Sequence, residues 1–420
     1  MAVTDEGRPI PAKRAGSDEG LLSIFFRSET RQIIYQAAIV IALVSFFWMI
    51  ISNVAARRQG RAWNLDFLNS SAGFDIGQSL IAFNASSSNW DAFVVGVLNT
   101  IVVSIVAIVL ATILGFIAGI ARLSSNWLVA RIAAFYVEIT RNIPLLLHLL
   151  IWYFGVIKNL PEVFKRDAAG EFLRVDGKRV SGSLELGGGI LLNNRGLYLP
   201  KPEFLAGSRI VLYAIIAGIV ASILVGILAR RRQMATGKQF PVLWTTLALT
   251  FLVPLGTFIV MGRPVTFDYP TVGNFNLAGG IELLPELAAL LLGLVFYTGG
   301  YIAEIVRAGI LGVSKGQKEA ARAIGLTGGQ SLRLVVIPQA MRIIIPPLTS
   351  NYLNVTKNSS LGIAIGYPDL VGVFTGTVLN QKSGHEIEIV LMTMAVYLTL
   401  SLLTSIFMNW FNRRMALVER

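Results

Sequence analysis

Five stretches of this sequence run for twenty residues or more without one charged side chain: 32–56, 92–121, 210–229, 239–262 and 389–412. About 20 consecutive apolar residues span the hydrocarbon core of a bilayer, where each charge costs a few kcal/mol. Three further segments are apolar apart from isolated charges: 132–157 with Glu138 and Arg141, 287–306 with Glu304, and 343–366 with Lys357. The chain therefore reads as an all-α polytopic membrane protein with about eight transmembrane helices. Composition agrees, because 14% charged residues and 54% hydrophobic ones fall far from the roughly 25% charge of a soluble domain. The lack of cysteine removes disulfides, thiolate metal sites and cysteine nucleophiles. His148 and His385, far apart in sequence, leave little for metal chemistry, and no metal site is expected. The first 20 residues are polar, so the expectation is no cleavable signal peptide and a first span that anchors itself.

A net charge of +12 raises the question of nucleic acid, and the placement of the basic residues answers it. With both termini cytoplasmic, the inner connections hold 20 Lys and Arg and the outer ones 14. Arg230, Arg231 and Arg232 at one span end, and Arg413 and Arg414 at another, are the sharpest marks of the inner side. The charge belongs to membrane topology, and no basic patch interleaved with aromatics points to nucleic acid.

Two connections carry more than length. In 159–208, Phe172 to Val180 reads as a hairpin around Asp176-Gly177, a favoured two-residue turn. Ile190 to Leu199, broken at Asn194-Arg195-Gly196, offers a second, so a small outer β-element is expected. The connection 314–338 contains two candidate capping boxes, Ser314 with Gln317 and Thr327 with Gln330. Gly325 falls where a left-handed C-cap would end the first helix, and Pro338 is placed to terminate the second. Two short helices lying across the membrane surface follow. The first presents small residues (Ala320, Ala321, Ala323) and ends in the apolar knob Ile324, a rigid lever for a partner protein.

In that loop Glu319-Ala320-Ala321, three residues, Gly325, nine residues and Val-x-Ile-Pro338 form a pattern that resembles the EAA signature of ABC importer permeases. Tyr136-Val-Glu138-Ile-Thr-Arg141-Asn142-Ile-Pro144, Tyr301-Ile-Ala-Glu304-Ile-Val-Arg307-Ala-Gly309 and Asn354-Val-Thr-Lys357-Asn358-Ser359-Ser360-Leu361 resemble helices of its polar-amino-acid subfamily, as does the span ending in Ala121-Arg122-Leu123-Ser124. The resemblance implies a five-helix type I importer permease (MetI-like) core over about 92–158 and 286–412. Around it lie an N-terminal tail (1–31), an extra first helix (32–56), an outer loop (57–91), an insertion with two further spans (159–285) and a C-terminal tail (413–420). The extra parts, with Asn64-Leu-Asp-Phe-Leu and Ala72-Gly-Phe-Asp-Ile-Gly77, resemble the larger Q-type permeases of general L-amino acid importers. His148 departs from the pattern, which usually has Gln there.

The resemblance implies a non-catalytic subunit in a bacterial inner membrane, importing L-amino acids of broad range. Its implied partners are an ABC ATPase dimer, a second and related permease in a heterodimer, a periplasmic amino-acid-binding protein and membrane lipid. ATP and Mg would be used by the ATPase; this chain binds no cofactor. It contains no GxxxxGK[ST], since Gly-Lys at 177–178 and 237–238 is followed by Arg and Gln, so nucleotide phosphates have no cradle here. Glu319, Ala320, Ala321, Ile324 and Gly325 are the candidates for coupling to the ATPase. Glu138, Arg141, Asn142, Lys357, Asn358 and Ser359 are candidates for the substrate path. Glu138 and Arg141, at i and i+3, are expected to pair; they either orient the helix bundle or offer both charges to a zwitterion. Lys357 either serves the path or reaches to the interface. Glu304 and Arg307, also at i and i+3, are expected to steady the helix that feeds the coupling loop. Pro346-Pro347 is either a kink that helps gating or a late helix start. Two rivals stay open, an ion-coupled secondary amino-acid transporter with broken helices in two matching halves, and a membrane scaffold that transports nothing.

Overall fold

A computed structural model of the chain describes residues 28–57, 64–175, 178–273, 276–382 and 384–415. The N-terminal helix α1 (Ser28–Arg57) belongs to a unit of its own, with an apolar stretch at Ile34–Met49. The second unit holds α2 (Asn89–Ala121), α3 (Trp127–Asn142), α4 (Leu145–Asn159), α5 (Ser208–Thr236), α6 (Val242–Val260), α7 (Pro285–Leu311), α8 (Lys315–Ala323), α9 (Gly328–Ile365), a short helix α10 (371–381) and α11 (Glu386–Met415). Among the described residues six helices are long and apolar enough to cross a membrane: α2, α5, α6, α7, α9 and α11. The 132–157 segment is not the straight span its hydrophobicity suggests. It is α3 followed by α4, bent by 110°. Pro144, which offers no N–H and disfavours a helical residue before it, stands at the break.

How far each helix is buried separates core from periphery. Over half of the apolar window of α7 is buried (56%), against 6% in α5 and in α6. α7 is the central helix, packed against α2, α3, α4 and α9, whereas α5 and α6 pack mainly on each other. Lipid is as apolar as leucine, so helices in a membrane associate by close backbone approach rather than by hydrophobic burial. Gly115 and Gly119, one turn apart on α2, supply that approach. A Cβ at Gly119 would stand 2.6 Å from the Ala303 carbonyl oxygen, and one at Gly115 would overlap Ile302. Gly309 likewise lets Ile344 of α9 close on α7. The core around these contacts contains Leu149, Leu290, Leu294, Ile302 and Ile345, all fully buried.

The sequence also misleads at Pro338. It does not end a helix, because α9 runs through it and on through Pro346 and Pro347 to Ile365. Leu332–Val336, just before Pro338, form a π-turn. There the usual ladder of i→i+4 bonds is already interrupted, so the missing proline N–H breaks nothing further.

At the opposite end of the bundle from the 314–338 loop lies the β-element. Arg174–Val175 pairs antiparallel with Lys178–Arg179 around a turn outside the described residues. Leu191–Asn193 pairs with Gly196–Leu199 as the second hairpin. The sheet then gains strands from both sides: Leu184–Glu185, and Ile281–Leu283 from beyond the α5–α6 hairpin, in the order 281–283, 196–199, 191–193, 184–185. Lys201–Phe204 pairs with Val265–Asp268, closing the base of that hairpin. Tyr198, 1% exposed, pins the sheet with its hydroxyl 2.6 Å from Glu282 Oε1 and 3.2 Å from Asn276 Oδ1.

Candidate functional site

The coupling-loop candidates sit on a capped, projecting helix. α8 ends in a Schellman motif: Gly325 has φ +81°, its N–H donates to the Arg322 carbonyl (2.9 Å), and the Leu326 N–H donates to the Ala321 carbonyl (3.1 Å). The next helix opens on the Thr327–Gln330 capping box, with the Thr327 N–H donating to Gln330 Oε1 at 2.9 Å and the Gln330 N–H to Thr327 Oγ1 at 3.4 Å. The other expected box is not formed, as Ser314 makes no side-chain cap. Gln317 instead accepts a bond from Gln339 Nε2 on α9 (3.1 Å), a tertiary contact that a local pattern does not foresee. Lys318 Nζ donates to the Ile310 carbonyl (3.4 Å), tying α8 to the end of α7.

The small-residue face divides in two. Ala321 is buried (3% exposed) and seats α8 on the bundle, whereas Glu319, Ala320, Ala323 and Gly325 are exposed. Ile324 is 76% exposed. An isoleucine so bare at the tip of a doubly fixed helix presents an apolar knob away from the bundle.

The path candidates fall on two helices that both pack against α7. Glu138, Arg141 and Asn142 are exposed on the last turn of α3, just before the bend. Lys357 is exposed near the end of the α-helical part of α9, below an exposed polar row of Ser350 and Asn354; Asn358 is half-buried. Ser359 is fully buried and donates to the Thr356 carbonyl (2.8 Å), a bond internal to its own helix. Among the described residues no hydrogen bond or ion pair joins Lys357 to Glu138 or Arg141.

The expected pair of Glu138 with Arg141 does not form. Arg141 Nη1 lies 3.8 Å from Glu304 Oε2 on α7, and its guanidinium stands 5.5 Å from the centre of the Tyr301 ring. The reason is geometric: α3 lies along α7, so Arg141 meets a carboxylate across the helix interface, while Glu138 is left exposed. Glu304 is a hub. Arg307 Nη2 reaches its Oε1 at 2.5 Å and Arg307 Nε its Oε2 at 3.3 Å, as the i, i+3 spacing foretold. Arg122, at the end of α2, donates to Oε2. One carboxylate thus gathers arginines from three helices, and sequence spacing shows only the neighbour on its own helix.

His148 has a structural partner. Its Nε2 lies 3.2 Å from the Thr140 carbonyl, one of the acceptors that the bend releases from helical bonding. Two buried groups at the β-element end escaped sequence reading. Asp369, in the turn between α9 and α10, is fully buried, accepts from the Gly372 N–H (2.8 Å) and bonds the Tyr397 hydroxyl (3.1 Å). Burial pushes its carboxyl up to about 7. Asn99 Nδ2 ties α2 to the same turn through the Pro368 carbonyl (2.8 Å).

Comparison with known proteins gives consistent relatives. Residues 232–417 match the family described as binding-protein-dependent transport system inner membrane component. The chain is 50% identical to the general L-amino acid transport system permease protein AapQ of Rhizobium johnstonii, over 96% of this chain and 97% of that one. It is 43% identical to the putative amino-acid ABC transporter permease protein YhdX of Escherichia coli, over 97% and 99%. It is 40% identical to the glutamate/glutamine/aspartate/asparagine transport system permease protein BztB of Rhodobacter capsulatus, over 94% and 95%. A crystal structure of an amino acid ABC transporter with histidines aligns at 19% identity and a TM-score of 0.43, covering 77% of this chain and 94% of that one.

Proposed function

From the premise that this chain belongs to the permease subunits of amino-acid ABC importers, as half its residues being identical over nearly its whole length shows, we propose how it does that work. It passes L-amino acids of broad range through a bacterial inner membrane, with both termini cytoplasmic. α8 is the lever on which a separate ATPase acts. Ile324 and the exposed Glu319 and Ala320 seat in the ATPase, Ala321 anchors the lever to the bundle, and Gly325 fixes its end. Glu138, Arg141, Asn142, Lys357 and Asn358 offer both signs of charge to a zwitterion, along a path shared with a second, related permease. An external binding protein delivers the substrate, and the ATPase, not this chain, holds ATP and Mg. The family leaves neither the ion-coupled carrier nor the scaffold with support.

The observation that carries the coupling reading is the bare Ile324 on a helix capped at its C-terminal end and bonded back to α7 and α9. Purifying the tagged chain in mild detergent tests it. The ATPase is expected to co-purify with the wild type and to be lost from Glu319→Arg, with the second permease retained. ATP-driven uptake at the wild-type rate by that variant, at wild-type membrane abundance, would end the assignment.

A further inference from the structure

Three guanidinium groups meet one carboxylate at Glu304, and they are not held equally. Arg307 grips both carboxylate oxygens and Arg122 donates directly to Oε2. Arg141 stands at 3.8 Å, beyond hydrogen-bonding distance, with its side chain 43% exposed against 16% for Arg122 and 31% for Arg307. A carboxylate offers about four acceptor positions, and three donors already occupy this one. Withdrawing Arg141 therefore breaks no hydrogen bond. Its departure also leaves Glu304 neutralised by the other two arginines.

We infer that Arg141 is the movable arm of this clamp, and that it leaves Glu304 for the α-carboxylate of an amino acid in the path. The four side chains carry two more positive charges than negative, in a region of apolar helices where unbalanced charge is costly. A carboxylate beside Arg141 reduces that excess, and it matches the planar fork of guanidinium better than any other common anion apart from phosphate. The Tyr301 ring on α7 lies 5.5 Å from the guanidinium, and the Tyr301 hydroxyl, 3.4 Å from the Arg141 carbonyl, holds the backbone at the root of the arm. Glu138, exposed one turn earlier on α3, is placed for the ammonium end of the same zwitterion. Glu304 and Arg307 stand on the last two turns of α7, which leads within four residues into α8. Loosening the clamp on the α3 side therefore reaches the segment that moves with the ATPase, and substrate occupancy is felt at the coupling helix.

This inference rests on α3 lining the path, and the test separates the two. The whole transporter, with its partner subunits and binding protein, is placed in lipid nanodiscs. ATP hydrolysis is measured with the binding protein empty and loaded with L-glutamine, and the thermal midpoint of the complex is followed alongside. In Arg141→Gln the stimulation by loaded over empty binding protein is expected to fall by about tenfold or to vanish, the factor that corresponds to one charge-assisted hydrogen bond. Its thermal midpoint stays near wild type, while that of Arg122→Gln, which loses a direct bond to Glu304, drops. Wild-type stimulation in Arg141→Gln overturns the inference. So does a midpoint as low as that of Arg122→Gln, since Arg141 would then be a strut. Uptake by Lys357→Met and Glu138→Gln tells which reading failed: if both transport normally the path itself is misplaced, and if either is impaired the path stands without the sensing arm.

Discussion

At the scale of single residues, the ionisable groups that matter are those whose partners come from another helix. Glu304 shows it. Its i+3 neighbour Arg307 was legible because both lie on one helix face, but Arg122 and Arg141 are 182 and 163 positions away in sequence. Glu138 with Arg141 had the same local spacing and proved misleading, because Glu304, across the α3–α7 interface, outcompetes the exposed neighbour. Glu304→Gln leaves three arginines without a counter-charge. The cost should fall between the ~0–1 kcal/mol of a surface pair and the ~3–5 kcal/mol of a fully buried one, read as a lower thermal midpoint in detergent. Asp369 gives a second prediction, with a pH signature. Its buried carboxyl is pushed up to about 7, above the value of ~3.9 in an unfolded chain. Between those values the folded protein keeps a proton that the unfolded chain has released. Stability contributed at low pH is therefore lost as pH rises toward 7 and levels off above it. Asp369→Asn retains an oxygen for the Gly372 N–H and removes the titration. The fall in thermal midpoint between pH 5 and pH 8 should shrink in that variant, and an undiminished fall would assign the effect to another group.

At the scale of elements, what could be read from sequence was whatever local chemistry dictates. The Gly325 terminus and the Thr327–Gln330 box were legible because a cap is specified within four or five residues. The Ser314–Gln317 box was not formed, since Gln339 on α9 competes for the glutamine, and Pro338 failed as a terminator because a π-turn absorbs it. Pro144 shows in the sequence that a helix hydrogen bond is lost there, but the 110° of the bend was not legible, because hydropathy has no sensitivity to direction. Two predictions belong here. Gly325→Val forces a β-branched residue into a left-handed conformation, costing roughly 1–2 kcal/mol at the junction of α8 and α9. Uptake is expected to fall several-fold while the amount of inserted protein stays constant. Gly119→Leu acts elsewhere, since its side chain meets the backbone of α7 at Ala303. Little folded chain should survive detergent extraction, whereas the same substitution at Gly226 of α5, where nothing lies within 4 Å, should be tolerated.

At the scale of the whole molecule, the second unit consists of a closely packed bundle centred on α7 and an α5–α6 hairpin that packs mainly on itself. The hairpin's own contacts are local, such as Ser222 Oγ to Thr250 Oγ1 at 2.9 Å and Gly218 against the Leu249 carbonyl. The strands at its base carry the link: Phe204 opposes Val265 and Lys201 opposes Asp268. The two hairpins within 159–208 were legible as turns, but the pairing of 196–199 with 281–283 was not, because no sequence periodicity joins strands some eighty residues apart. That architecture makes the hairpin separable. Replacing residues 205–264 by Asn-Gly would close Phe204 onto Val265 with a two-residue turn suited to antiparallel strands, and would leave Gly196–Leu199 paired with Ile281–Leu283. The shortened chain is expected to insert, to retain the wild-type midpoint of its core within a few degrees and, on the proposed reading of α8, to bind the ATPase. Loss of ATPase binding, with the shortened core otherwise stable, would mean that the hairpin bears on the coupling end despite its sparse contacts.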